Sequence, residues 1–375
     1  MGWRARPVIV IHADHVRLRP FHDRDIDDLA AGYAEPNART YTRDDAAHWI
    51  THGAPSAWAA GGAAYAIADP ATDRLLGGVG VSRIVPERSQ GEIGYWVAQW
   101  ARRRGVATSA ARALAAWAFD RGFSRLELLT DLANAPSQRV ALATGFQREG
   151  VRRSGGQGLN GRYDLVVWAR LAGDAPGPTR RLLPDLPGGA LTDGAVTLRP
   201  VWPGDAAFLH ALLSLPDVAG TSLPPIVPDR EEVELRCARA EGWWLAGERA
   251  DLVIADAATG TPVGTIGLYY EDPRTATAGI GYAMLPAWRG RGMPTRAVQL
   301  LSRWAVTQAG IGRLTAGTLP GNAASQRVLE KAGFRREGYL RGRLPGLSGT
   351  RVDDVIYGLL AADVARDQAD RAMIP

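Results

Sequence analysis

The chain says one long thing twice. The segments IGYWVAQWARRRGVAT, NAPSQRV and TGFQREG, between Ile93 and Gly150, return as IGYAMLPAWRGRGMPT, NAASQRV and AGFRREG between Ile280 and Gly338. Gly94 matches Gly281 and Asn134 matches Asn322, so the register drifts by a single residue over the whole set. A unit this long is too large for a solenoid repeat, and it constrains the fold to two copies of one domain. The length of 375 residues agrees, since it exceeds one comfortable core and suits two ordinary ones.

Each copy carries the same order of local signals. Copy one opens with VRLRPF (Val16 to Phe21) and copy two with VTLRPV (Val196 to Val201), both alternating as half-buried strands do. Helices are expected from Asp23 and from Pro203. Strands follow at Arg74 to Ile84 and Thr261 to Tyr270, then at Glu92 to Ala98 and Gly279 to Leu285. The next helices place apolar residues at 110, 113, 114, 117 and 118 and at 297, 300, 301, 304 and 305, one stripe at helical spacing in which Trp117 and Trp304 are core anchors. A strand from Arg125 or Arg313, a helix running into Gly-Phe and a last strand from Asp164 or Asp353 complete the copy. The fold class is therefore α+β, a mixed, mostly antiparallel sheet flanked by helices in each domain. The Pro/Gly-rich stretch from Gly173 to Gly194 reads as a linker. The expected layout is a domain at 1–172, a linker at 173–194, a second domain at 195–362 and a tail at 363–375. Leu182, Leu183 and Leu186 make the linker apolar enough to dock, which predicts that the two domains pack as a pseudo-symmetric pair. The expected assembly is a monomer with pseudo-two-fold domains or a homodimer.

Composition removes several classes. With 46% apolar and 22% charged residues the chain is folded and soluble, and no apolar run is long enough to span a bilayer. The single cysteine, Cys237, forms no internal disulfide, which points to a reducing cytoplasm, and its helical surroundings read as packing. The charge of +5 comes with acids interleaved among arginines, a solvated surface rather than a nucleic-acid face. The six histidines show no metal-ligand spacing, so no metal is expected.

The most chemical segment is the turn after the repeated strand. Arg102-Arg103-Arg104-Gly105-Val106-Ala107-Thr108 enters a helix, and an anion is favoured there by free backbone N–H groups and the positive end of the helix dipole. Glycine at position 105 lets the backbone approach phosphate oxygens closely. An ATP-type loop is excluded because it needs a lysine and the only lysine is Lys331. A dinucleotide loop lacks its third glycine here. In copy two the turn reads Arg289-Gly290-Arg291-Gly292-Met293-Pro294-Thr295, and Pro294 removes one N–H.

Arg-x-x-Gly-x-Ala after EIGYW, Asn-x-x-Ser-x-Arg-Val and Gly-Phe-x-x-Glu-Gly, in order and in two copies, resemble the GNAT acetyltransferase superfamily, nearest its ribosomal-protein N-terminal acetyltransferase branch. The resemblance implies an enzyme that binds acetyl-CoA at the turn, with the pantetheine arm between two splayed strands. The amine acceptor, a peptide or a small molecule, attacks the thioester directly. It implies an oxyanion donor in the backbone near Val97. Glu92 is either the base or a solvated edge carboxylate, and copy two has Gly279 there. Ser137 and Ser325 either assist the departing thiolate or begin a helix. Asn134 and Asn322 contact pantetheine, cap that helix, or do both. The stretches from Glu35 to Trp49 and Asp217 to Glu232 are expected to line the acceptor clefts. Copy one is expected to carry most of the turnover, and an acyl-CoA-binding protein without catalysis is the alternative.

Overall fold

The computed structural model describes residues 9–33, 41–158, 161–222, 225–346 and 349–372. The chain divides into two compact units, Met1–Arg180 and Arg181–Pro375.

The first unit contains β1 (Ile11–Ala13), β2 (Val16–Arg19), α1 (Ile26–Gly32), α2 (Arg43–His48), α3 (Ala54–Ala59), β3 (Ala63–Ala68), β4 (Leu75–Val85), β5 (Gln90–Val97), α4 (Val106–Asp120), β6 (Arg125–Asp131), α5 (Ala135–Ala143), β7 (Gln147–Gly158) and β8 (Gly161–Leu171). Helices α2 and α3 are joined through a π turn at Trp49–Gly53. The strands lie in the order β1-β2-β3-β4-β5-β6-β8-β7. All neighbours are antiparallel except β5 and β6, the pair joined by the α4 crossover. Their parallel ladder lasts only from Gln90 to Glu92 against Arg125 to Glu127. Beyond it β5 stays with β4 and β6 stays with β8, so the sheet opens into a wedge.

The second unit repeats the plan with β9 (Leu191–Thr192), β10 (Val196–Pro200), α6 (Ala206–Leu213), α7 (Pro216–Ala219), α8 (Arg230–Leu245), β11 (Arg249–Asp256), β12 (Pro262–Asp272), β13 (Thr277–Met284), α9 (Met293–Thr307), β14 (Arg313–Thr318), α10 (Ala323–Lys331), β15 (Arg335–Pro345), β16 (Arg351–Leu360) and α11 (Ala361–Ala372). Its strand order is β9-β10-β11-β12-β13-β14-β16-β15. Again one pair is parallel, β13 with β14 from Thr277 to Gly279, and again it splays.

The helical stripes are buried as their spacing requires. Leu114, Trp117 and Ala118 of α4 lie in the core, as do Ala297, Leu300, Leu301, Trp304 and Ala305 of α9. Trp304 packs against Trp244 with ring centroids 5.6 Å apart, and Trp117 lies 5.9 Å from Tyr65. The arginine of each LRP motif pins the first long strand to the start of the following helix. Arg19 donates to Asp25 at 2.7 Å and Arg199 to Asp205 at 2.8 Å.

The Pro/Gly-rich stretch is not a bare tether. On the first unit, the Thr179 N–H donates to the Leu142 carbonyl at 2.8 Å. On the second, Leu183 and Leu186 are buried in the core and Trp244 Nε1 donates to the Pro184 carbonyl at 3.0 Å. Residues Leu191–Thr192 form β9, paired to β10. Past the last strand, α11 continues the chain and its Val364 packs on the second core. Cys237 is buried among Val201, Leu209, Val233 and Val253, which pushes its thiol up to about 11.

Candidate active sites

The wedge and the turn meet at the end of β5. Ala98 N–H donates to the Leu76 carbonyl, and Gly77 faces Val97 across the ladder. Backbone donors alternate in direction along an antiparallel strand, so the Val97 N–H points away from β4 into the wedge. The Val97 carbonyl points the same way and accepts from Arg102 Nε at 3.2 Å. Copy two repeats each detail. Leu285 N–H donates to Val263, which turns the Met284 N–H into the wedge, and Arg289 Nε donates to the Met284 carbonyl at 3.1 Å. Arg102 and Arg289 therefore brace the turn against its strand. Arg289 also pairs with Asp217, Arg291 lies over the Trp288 ring at 4.9 Å, and Arg104 approaches Asp69 at 4.0 Å.

The turn takes the same shape in both copies. Gly105 and Gly292 are the helix N-caps at φ of 74° and 76°. Two residues earlier, Arg103 at 60° and Gly290 at 74° are also left-handed. A Cβ on Gly105 or Gly292 would meet no protein atom within 4 Å, so it is the backbone angle that demands glycine, and the space above the turn is open. No side chain caps α4 or α9, which leaves the N–H groups of Val106, Ala107 and Thr108, and of Met293 and Thr295, for a ligand. Pro294 interrupts the second set.

The structure brings Ser137 to a partner that sequence reasoning missed. Tyr95 Oη lies 2.7 Å from Ser137 Oγ, and Tyr282 Oη lies 2.8 Å from Ser325 Oγ. Burial pushes both phenols up to about 12, against the pull of the serine hydrogen bonds. The signal was present, since IGY is identical in the two copies, but only the sheet shows that this tyrosine reaches α5 or α10. The asparagines cap those helices, accepting from Ser137 N at 3.2 Å and from Ser325 N at 3.1 Å.

Period-two alternation places Glu92 and Trp96 on the sheet face opposite Tyr95. Glu92 stands where the ladder with β6 ends, beside Glu127. Its carboxyl is raised above the ordinary glutamate value, first by burial, with Glu127 adding to the rise and Arg83 and Arg152 opposing it. Arg83 Nη1 is 3.2 Å from Glu92 Oε2. Trp96 packs edge-on to Tyr33 at 5.4 Å, and Tyr41 joins them at 4.7 Å from Tyr33.

In the second unit Ala283 stands in place of Trp96. This unit also has a cleft of about 280 Å³, lined by Gly220, Thr221, Ser222, Leu319, Pro345 and Thr350 among others. It includes part of the stretch from Asp217 to Glu232. Of the corresponding stretch in copy one, residues 35–40 lie outside the described residues. The position of Gly279 is also not empty of acid. A Cβ built there would come within 2.9 Å of Glu271 Oε1, a carboxylate delivered by the neighbouring strand.

A family model described as the acetyltransferase (GNAT) domain matches twice, over residues 15–147 and 195–335. The chain belongs to the GNAT acetyltransferase family. Both units are GNAT domains, and the splayed strands with their glycine-entered helix fall inside both matches. Similar sequences include the Bacillus subtilis protein named the probable N-acetyltransferase YjcK, 38% identical over 103 residues, 27% of this chain and 56% of that protein. The L-2,4-diaminobutyric acid acetyltransferase of Streptomyces avermitilis is 32% identical over 115 residues, 30% of this chain and 64% of that protein. The matched segments thus span under two thirds of each relative. Among solved structures, Mycobacterium smegmatis RimJ in complex with CoA-disulfide aligns at 23% identity with a TM-score of 0.43, covering 51% of this chain and 97% of that one. Among the described residues, no group of three or more His, Cys, Asp or Glu is placed to hold a metal ion, and no helix is long and apolar enough to cross a membrane.

Proposed function

We propose that this GNAT protein is an acetyl-CoA-dependent N-acetyltransferase that transfers an acetyl group to a primary amine by direct attack in a ternary complex. The observation that carries the reading is the recurrence, in both copies, of a strand wedge, an uncapped helix entered through a left-handed glycine, and a tyrosine hydrogen-bonded to a serine. The N–H groups of Val106, Ala107 and Thr108 suit the pyrophosphate, with the exposed Arg103 and Arg104 adding charge. In copy two Met293, Thr295, Gly290, Arg291 and Gly292 take these roles. The pantetheine arm lies in the wedge beside Asn134 or Asn322.

In copy one the chemistry assigns one group to each charge. The Val97 N–H donates to the thioester oxygen as it becomes an oxyanion. Glu92, through a water, accepts the proton that the ammonium must lose before its nitrogen can attack the carbonyl carbon. As the C–S bond breaks, the sulfur keeps the electron pair and receives a hydrogen bond from Ser137, which Tyr95 supports. With Tyr95 at about 12 and a thiol near 8.5, full transfer of the phenolic proton would be uphill by roughly 5 kcal/mol. The pair therefore stabilises the thiolate by hydrogen bonding, and water supplies the proton. Ser325 and Tyr282 do the same in copy two.

Copy one is the better CoA binder because its N–H set is complete. The aromatic group beside Trp96 and the uncharged cleft at Thr221 and Thr350 support different acceptors for the two copies, a peptide N-terminus or a small-molecule amine. Release of free CoA thiol from acetyl-CoA with a panel of such amines tests the reading, with calorimetry of acetyl-CoA binding beside it. Binding without thiol release from any amine would instead support an acyl-CoA-binding role.

A further inference from the structure

In copy one the carboxylate at the foot of the wedge comes from β5 itself, and the adjacent β4 irregularity holds Arg83 and Ile84, with no acid. Copy two exchanges these supplies. Its strand residue is Gly279, and the β12 ladder skips a residue between Tyr270 and Asp272, so Glu271 is the extra residue of a bulge. Bulges re-aim side chains, and this one turns Glu271 toward the wedge. Its Oε1 accepts from Thr315 Oγ1 at 2.6 Å, and Thr315 faces Gly279 across the short parallel ladder, at the position Glu127 holds in copy one. The same oxygen sits 2.9 Å from where a Cβ on Gly279 would begin. The loss of the strand glutamate, the gain of a glutamate at the bulge and the exchange of Glu127 for a hydroxyl donor form one consistent set. The charged groups nearby are Arg313 and Glu337, which are paired at 3.0 Å.

We infer that Glu271 is the proton acceptor of the second domain, doing from β12 what Glu92 does from β5. This rests on the acetyl-transfer reading above. The step balances without any further reagent. Glu271, directly or through one water, takes a proton from the ammonium of the acceptor. The freed lone pair forms the C–N bond, the C–S bond breaks, and the thiolate leaves with its electron pair. Gly279 is then the vacancy that lets a carboxylate from the next strand occupy this position, and Thr315 orients it.

The test uses the full chain with copy one silenced by Glu92→Gln and Ser137→Ala, following CoA thiol release with an amine that the intact chain acetylates. Glu271→Gln, which keeps the acceptor for Thr315, is expected to lower the remaining kcat/KM by about 10²-fold or more and to remove the acidic limb of its pH profile. Glu271→Ala with Gly279→Glu returns the carboxylate to the strand and is expected to recover at least a tenth of the rate. A Glu271→Gln rate within twofold of its parent, a loss that the relocated glutamate does not recover, or a silent copy two beside an active copy one would each overturn the assignment alone. Absence of thiol release from the intact chain with every amine would sink the acetyl-transfer reading, and this inference with it.

Discussion

Moving a single backbone N–H between the two copies should move CoA affinity with it. Ala107 and Pro294 hold the same place in the first turn of α4 and α9, where N–H groups have no partner within the helix. Proline is tolerated there at little cost to the helix, so Ala107→Pro deletes a donor and changes little else. One hydrogen bond to a charged phosphate contributes about 1.5–3 kcal/mol, so acetyl-CoA should bind copy one roughly 10- to 150-fold more weakly. Pro294→Ala should tighten copy two by the lower end of that range, because Pro294 is buried and its removal leaves a small void. The assay is calorimetric titration of each variant with acetyl-CoA, with thermal melts alongside. Ala107→Pro binding within threefold of the parent at an unchanged melting temperature would refute the placement of phosphate on these donors. An equal loss with a collapsed melt would mean that the proline broke the helix instead.

Glu92→Gln should lower copy-one turnover by about 10² to 10⁴ in kcat/KM. The same change should raise thermal stability at neutral pH. Burial makes the folded chain hold the Glu92 proton more tightly than the unfolded chain does, so this group costs stability as pH rises through the ordinary glutamate value, and a melt that falls would contradict this. Arg83→Met removes a charge that opposes that rise, and it should shift the acidic limb of the kcat/KM profile to higher pH; a shift to lower pH would be inconsistent with the pair. Tyr95→Phe should lower kcat by about tenfold with little change in acetyl-CoA affinity, since a hydrogen bond to a serine contributes about 1–1.5 kcal/mol, and rapid-quench turnover measures it. Leu183→Ala should destabilise the second unit by about 2–5 kcal/mol although it lies in a stretch that reads as linker, a loss visible in a denaturant melt.

The sequence determined the duplication, the α+β class and the turn, because each is written in local or periodic patterns. Two long repeats in register require two like domains, a helical stripe carrying a tryptophan requires a buried helix face, and Gly105 and Gly292 stand where a left-handed angle begins a helix. The sequence could also mark Ser137, Ser325, Asn134 and Asn322 as repeated polar residues. It could not say what they touch, because those partners come from distant segments. Tyr95 lies 42 residues from Ser137, and only the splay of β5 from β6 lets it reach α5. The direction of the Val97 N–H depended on the β4 register, which no single-strand pattern carries. Glu92 against Gly279 read as a carboxylate lost, since sequence compares a position with its own counterpart. In the sheet that place can be filled from the next strand, and a one-residue bulge at Glu271 was enough to fill it.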